Sequence, residues 1–230
     1  MQVDSYKELK EHYKEMLELF DVVHFNSSVT ESVYEKHLDI NSSKVIPITH
    51  LDIVDNREER CFNEKILKLI FIGNTAAYKG FPLLEELLIE LYNEGKREWC
   101  LEVWGADGKS NCENISFKGR YSSEDLKKVY SSDSLLIVPS LCSETFSLAT
   151  LEALSFGLPV MVSSSVGAKD IVARHNDWFI FKDRLDLKTK LIRLLDDREP
   201  LIKYNRLVVQ SSWNYSLKEH SKEIEKLYRK

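Results

Sequence analysis

The sequence predicts an α/β fold, a parallel sheet with helices on both faces, and three observations carry that expectation. Short apolar runs alternate with longer amphipathic patterns through the middle of the chain, as strands joined by crossover helices do. The runs are apolar throughout instead of alternating, which suits strands covered on both sides. Most of them run into glycine or small polar residues, the composition of loops at one edge of such a sheet.

The elements follow in order. An amphipathic helix at the N-terminus sets Tyr6, Leu9, Tyr13, Met16, Leu17 and Phe20 on one face, and a strand Val22–Phe25 follows. Ser28-Val29-Thr30-Glu31 has the spacing of a capping box and leads into a helix over Val33–Leu38. The segment Lys44–Ile48, with Pro47, and the charged stretch Asp52–Glu59 have the character of an interdomain connector. Strands are then expected at Leu67–Ile72, Leu101–Trp104, Ile115–Phe117, Leu135–Val138, Pro159–Val162 and Trp178–Phe181. Helical patterns fall at Pro82–Glu94, Glu124–Tyr130, Phe146–Phe156, Leu185–Leu195 and Ser216–Tyr228, the second opened by Ser122 and Asp125 as a capping box. One strand and two helices cannot build a core of their own. Residues 1–47 are therefore expected to be the tail of a preceding domain, or else an extension docked on the module of residues 48–230.

Bulk properties bound the function. With 230 residues, 43% hydrophobic and 30% charged, the chain has the balance of a soluble globular protein. No apolar run approaches the roughly 18 residues of a membrane span, and the start MQVDSYKELK lacks the apolar stretch of a signal peptide, so the cytosol is the expected compartment. A net charge of −5 argues against a nucleic-acid partner, which needs clustered Lys and Arg. Cys61, Cys100, Cys112 and Cys142 lie far apart without metal-ligand spacing and are expected to be reduced structural thiols.

Polar residues gather after the strands: Gly73-Asn74-Thr75, Gly105-Ala106-Asp107-Gly108, Gly119-Arg120, Pro139-Ser140 and Ser163-Ser164-Ser165-Val166-Gly167. Small molecules bind at this edge of an open parallel sheet because helix N-termini and free loop amides converge there. Glu152 stands out on its predicted helix. Its neighbours one turn away are Leu148 and Phe156, with Ala149 and Ser155 beside it, so its carboxylate lies on an apolar and small-residue stripe. Such a carboxylate requires partners. Either a structural donor or a ligand with adjacent hydroxyls, such as ribose, meets that need.

The stretch from Pro139 to Val160, PSLCSETFSLATLEALSFGLPV, resembles the donor-site signature of family 4 glycosyltransferases. It carries Glu144 and Glu152 eight positions apart, the small-residue run into Gly157-Leu158-Pro159-Val160, and Val166-Gly167 beyond. Phe71-Ile72-Gly73 followed by Lys79-Gly80 is similar to that family's phosphate-binding loop. The resemblance covers about residues 20 to 200 and implies the two-domain GT-B architecture, this chain supplying its C-terminal Rossmann-like domain and residues 1–47 a remnant of the N-terminal acceptor domain. It implies transfer of a sugar from a nucleoside diphosphate sugar, with retention, to a sugar or lipid-linked acceptor, as in bacterial surface polysaccharide synthesis. A place at the inner face of the membrane fits that role.

Position by position, the resemblance puts Glu152 on the ribose hydroxyls, Glu144 on the donor sugar and Lys79 on the diphosphate. Gly73 and Gly80 let the backbone come close, and Thr145, Phe146, Ser147 and Leu148 present amides at a helix start. Arg120 and Tyr121 hold the base, and Ser165 to Gly167 close the sugar pocket. Glu144 and Lys79 are the expected catalytic pair. No cofactor or metal is expected, since no Asp-x-Asp occurs and diphosphate departure rests on Lys79 and the helix dipole. The chain departs from the family twice. Asn74 stands where the family places Arg, and Lys169 either supplies the missing charge or is a solvated surface lysine. Gly167-Ala168-Lys169-Asp170 also shortens the family's Gly-Gly-x-x-Glu acid. A dinucleotide oxidoreductase and a P-loop enzyme both fail on the residues after Gly73. A non-catalytic nucleotide-sugar-binding module, or a partner subunit, carries the same donor site and remains the alternative.

Overall fold

Each of the six apolar runs contributes a strand to one all-parallel sheet, in a computed structural model that describes residues 3–229. The strands are β3 (Leu67–Ile72), β4 (Trp99–Trp104), β5 (Ile115–Gly119), β6 (Ser134–Val138), β7 (Val160–Ser163) and β8 (Ile180–Phe181). Their order is β5-β4-β3-β6-β7-β8. The chain moves outward one way from β3 and the other way from β6, so the direction reverses between these two neighbours. A ligand crevice is expected at that switch point.

The central strands are dry: Ile70, Leu101, Leu135, Leu136, Ile137, Val160, Met161 and Val162 have no exposed surface. Helix α3 (Phe81–Asn93) joins β3 to β4 and buries Leu84, Leu87, Leu88 and Leu91, one stripe at helical spacing. Helix α4 (Leu126–Tyr130) precedes β6 and α5 (Leu148–Ser155) joins β6 to β7. Right-handed crossovers that run outward in opposite directions put α3 and α5 on opposite faces. Helices α6 (Lys169–Asn176), α7 (Arg184–Asp196), α8 (Glu199–Gln210) and α9 (Leu217–Tyr228) complete the cover, with α3 against α7 and α6 against α8.

Ahead of the sheet lie α1 (Val3–Glu18), β1 (Val23–Phe25), α2 (Ser28–Glu35) and β2 (Ser43–Val45). The two strands pair in parallel, Val23 with Ser43 through Phe25 with Val45, and form a sheet of their own. Tyr6, Leu9, Tyr13, Met16 and Phe20 of the expected apolar face stay substantially exposed.

Several local expectations shift. Ser27, not Ser28, caps α2: its backbone is extended and its hydroxyl accepts from Thr30 N at 3.2 Å, while Glu31 accepts from the Ser43 hydroxyl. The capping box of Ser122 and Asp125 is present. Helix α5 starts at Leu148 instead of Phe146, because the preceding backbone is drawn into pairing with the loop after β7. The run at Trp178 begins as a 3-10 turn, Asp177–Phe179, capped by Asn176, and only Ile180–Phe181 is strand.

The charged stretch after Asp52 is bound to the module along its length. Arg57 donates to the carbonyls of Val208 and Ser211 and lies over the Trp213 ring. The Arg60 side chain, 2% exposed, donates to the carbonyls of Ser131, Tyr130 and Phe156 and faces Asp133 at 3.6 Å and Glu58 at 3.3 Å. Burial lowers its pKa from the ordinary value, against the pull of those two carboxylates. A guanidinium so placed is tolerable because its donors are met.

Candidate active site at the sheet switch point

The loops after β3 and β6 meet at the reversal of strand order, around a cavity of about 180 Å³ lined by Phe71, Ile72, Lys79, Ser140, Glu144 and Leu148. Gly73 ends β3 with φ +131°, and a side chain there would meet nothing within 4 Å, so its backbone is open to whatever enters. Asn74 is exposed and turned toward its own loop: Oδ1 accepts from Ala76 N and Nδ2 donates to the Tyr78 hydroxyl. A 3-10 turn, Ala77–Lys79, follows, and Gly80 closes it in the left-handed region. A Cβ at Gly80 would stand 1.8 Å from the Pro139 carbonyl oxygen, so only glycine lets this loop seat against the end of β6.

That seating aims Lys79 across the crevice. Its Nζ lies 2.7 Å from Glu144 Oε1, with the two side chains 28% and 16% exposed. The other oxygen of Glu144 accepts from the hydroxyl of buried Ser140, whose carbonyl in turn accepts from Ser163. The Glu144 backbone is fixed as well: its N–H donates to Ser165 O and its carbonyl accepts from Gly167 N, both at 2.9 Å. Gly167 is forced, since a Cβ would stand 2.3 Å from Thr145 O and 2.5 Å from the Ser27 hydroxyl. Phe146 is buried, and Thr145 and Leu148 are exposed, Leu148 at the cavity.

Ser147, between Glu144 and the helix, has φ 97° and ψ 90°. A non-glycine residue held there costs on the order of 1–3 kcal/mol, and such strain gathers at functional sites. Its position lets α5 start abruptly at the cavity wall, with first-turn N–H groups that have no acceptor inside the helix.

One turn into α5, the Glu152 side chain is 12% exposed. Its carboxylate accepts from the Tyr130 hydroxyl at 3.0 Å and faces His50 Nε2 at 3.3 Å. Burial, with the Glu152 charge second, raises the pKa of both Tyr130 and Tyr121 above the ordinary tyrosine value. Tyr121 packs edge-on to Trp104 beyond the end of β5, with Arg120 exposed beside it. Lys169 begins α6, and the shortened acid Asp170 accepts from Ser28 N.

The structure thus lines one crevice with Lys79, Glu144, Ser147 and Leu148, with Gly73 and Gly80 on the loop that carries Lys79. Gly167 is bonded to the Glu144 backbone but lines a separate cavity with Ser27 and Asp170, and Glu152 lies one turn further along α5. Asn74 is engaged inside its loop. Tyr130 and His50 were not singled out from sequence, and Ser140 was named only as part of the loop after its strand. Residues 67–197, more than half of the chain, match the family described as Glycosyl transferases group 1. The chain belongs to that family.

The family match runs from β3 through α7, so it holds Lys79, Glu144 and Glu152 but not His50. Over 88 residues the chain is 39% identical to the sulfoquinovosyl transferase SQD2 of Arabidopsis thaliana, covering 36% of this chain and 17% of that protein. Among solved structures it resembles WaaG, a glycosyltransferase involved in lipopolysaccharide biosynthesis, with a TM-score of 0.68 at 19% identity over 87% of this chain and 61% of WaaG. It also resembles Anabaena HepE, solved with UDP and glucose, with a TM-score of 0.74 at 12% identity over 96% of this chain and 67% of HepE. These likenesses establish the Rossmann-like fold of a GT-B glycosyltransferase.

Proposed function

We propose that this chain holds the nucleoside diphosphate sugar of a retaining glycosyltransferase, in the crevice between the ends of β3 and β6. The observation that carries the reading is the convergence of Lys79, Glu144 and the start of α5 on one cavity at the sheet switch point. An ammonium and the positive end of a helix suit a diphosphate. When the bond from the anomeric carbon breaks, its electron pair goes to a diphosphate oxygen, and Lys79 with the α5 amides stabilises that charge without a metal. Glu144 takes the sugar hydroxyls, Glu152 the ribose, and Arg120 and Tyr121 border the base. Ser165 to Gly167 close the pocket behind Glu144.

In the same reading, residues 1–47 belong to the acceptor-binding half and residues 48–230 form the donor module. The acceptor is a sugar or a lipid-linked sugar, and the setting is bacterial surface polysaccharide or glycoconjugate synthesis at the cytoplasmic face of a membrane. The solved relative with UDP and glucose supports a nucleotide sugar as donor. Thermal-shift and calorimetric titrations with nucleoside diphosphates and their sugars, with a chelator present, test the reading. Stabilisation by at least one nucleotide series is expected. Absence of any response rejects the donor site, and a strict need for a divalent ion rejects metal-free departure.

A further inference from the structure

The Glu152 carboxylate is nearly enclosed, and its fixed partners use only part of its capacity. Tyr130 reaches one oxygen at 3.0 Å and His50 Nε2 faces the other at 3.3 Å. The His50 tautomer follows from its other nitrogen: Asp52 N–H donates to Nδ1 at 3.2 Å, so Nδ1 holds the lone pair and the neutral ring carries its proton on Nε2, toward Glu152. An ionised carboxylate has about four lone-pair sites, two on each oxygen. Tyr130 occupies one, and His50 Nε2 stands 3.3 Å from the other oxygen without a formed hydrogen bond. At least one site remains on each oxygen, side by side, which is the acceptor pattern that two vicinal hydroxyls require.

We propose that His50 is a positioning residue for a ribose subsite: its Nε2, 3.3 Å from the Glu152 carboxylate, donates to that oxygen when the ribose diol takes the remaining acceptor sites. The inference rests on the ribose reading of Glu152. His50 lies outside the stretch matched to the family and between the two sheets, in the segment that follows β2. The subsite is thus completed by a residue from the connection between them. Thr49, next to it, donates to Tyr215 O at 2.7 Å, and Pro47 O is 2.9 Å from His220 Nδ1, so this segment is held from the C-terminal side as well.

The test is calorimetry on the full chain with UDP, GDP and ADP and the 2′,3′-dideoxy form of whichever binds. His50→Ala is expected to weaken the ribonucleotide about fivefold to tenfold, the scale of one hydrogen bond to a charged group, and to leave the dideoxy form unchanged. His50→Gln, which places an N–H near the same point, restores affinity to within about twofold of the native chain on that scale. In a Glu152→Ala background, His50→Ala adds nothing, because its effect passes through the carboxylate. A His50→Ala loss that is absent, equal for both sugars, or undiminished in the Glu152→Ala background overturns the positioning role. A Glu152→Ala loss equal for both sugars rejects the ribose assignment itself, and binding of no nucleotide rejects both.

Discussion

Glu144→Gln removes the charge that Lys79 faces while keeping the shape of the side chain. A diphosphate oxygen arriving at Lys79 has to share an ammonium that Glu144 already holds at 2.7 Å, and it meets the carboxylate as a like charge. Two unit charges about 5 Å apart at an effective dielectric constant near 20 repel by roughly 3 kcal/mol. With side chains 28% and 16% exposed, solvent and salt reduce the net effect to about 1 kcal/mol. The variant is therefore expected to bind a bare nucleoside diphosphate about fivefold more tightly than the native chain. A nucleotide sugar gains the same relief but loses hydrogen bonds to a charged acceptor worth about 1.5–3 kcal/mol. Its affinity should fall by roughly twofold to thirtyfold. Calorimetry with both ligands on both proteins at neutral pH measures the two ratios. A change of the same sign and size for both ligands would show that Glu144 does not distinguish sugar from diphosphate.

Gly80→Ala is expected to destabilise the chain by about 3 kcal/mol and to abolish nucleotide binding, because its Cβ would collide with the Pro139 carbonyl at φ +74°; denaturant unfolding with a nucleotide titration checks both. Arg60→Met leaves the carbonyls of Ser131, Tyr130 and Phe156 without their donor and should cost about 3 kcal/mol in urea unfolding, with nucleotide affinity retained in the folded fraction. Asp55 has its pKa lowered, first by the side-chain hydrogen bond from Arg57. Its stabilising contribution is complete above the unfolded carboxylate range near 4 and disappears as pH falls through the lower folded value. Thermal melts of native and Asp55→Asn chains should therefore differ at pH 6 and converge as the pH falls below the lowered folded value. A gap that persists in acid would assign the effect to packing.

The sheet was legible because its strands are short, continuous apolar runs, buried almost throughout in central β3, β6 and β7, and each was placed within a few residues. Helices α6 and α8 were not. In α8 the buried stripe Leu201, Tyr204, Asn205, Val208 contains an amide, which breaks the apolar period. Asn205 is buried because it accepts from Arg60 N and donates to Glu58 O and Gly157 O, which no local pattern shows. The crevice was legible through Lys79, Glu144 and the glycines, whose spacing is local to two loops. Partners that depend on tertiary approach were not: Tyr130 read only as the end of a helix, and His50 fell between the two stretches of the expected connector. For Glu152, the apolar stripe signalled that partners were needed without naming them. The cap of α2 slipped by one residue because Ser27 and Ser28 are chemically equivalent, and backbone conformation alone selects between them.

Ser27 has a second duty beyond its helix. The hydroxyl that accepts from Thr30 N also donates to Thr145 O at 2.7 Å, and the Thr30 hydroxyl reaches the same carbonyl at 3.2 Å. Thr145 is the residue after Glu144, and Gly167 leaves the gap through which the Ser27 oxygen arrives. The first turn of α2 and the loop that carries Glu144 are thus coupled like a lever and its load. A tilt of α2 against the large sheet would either give up the two hydrogen bonds to Thr145 O, along with that from Ser28 N to Asp170, or pull the Glu144 backbone with it. The small sheet and the Glu144 loop thus share one carbonyl oxygen as a common anchor.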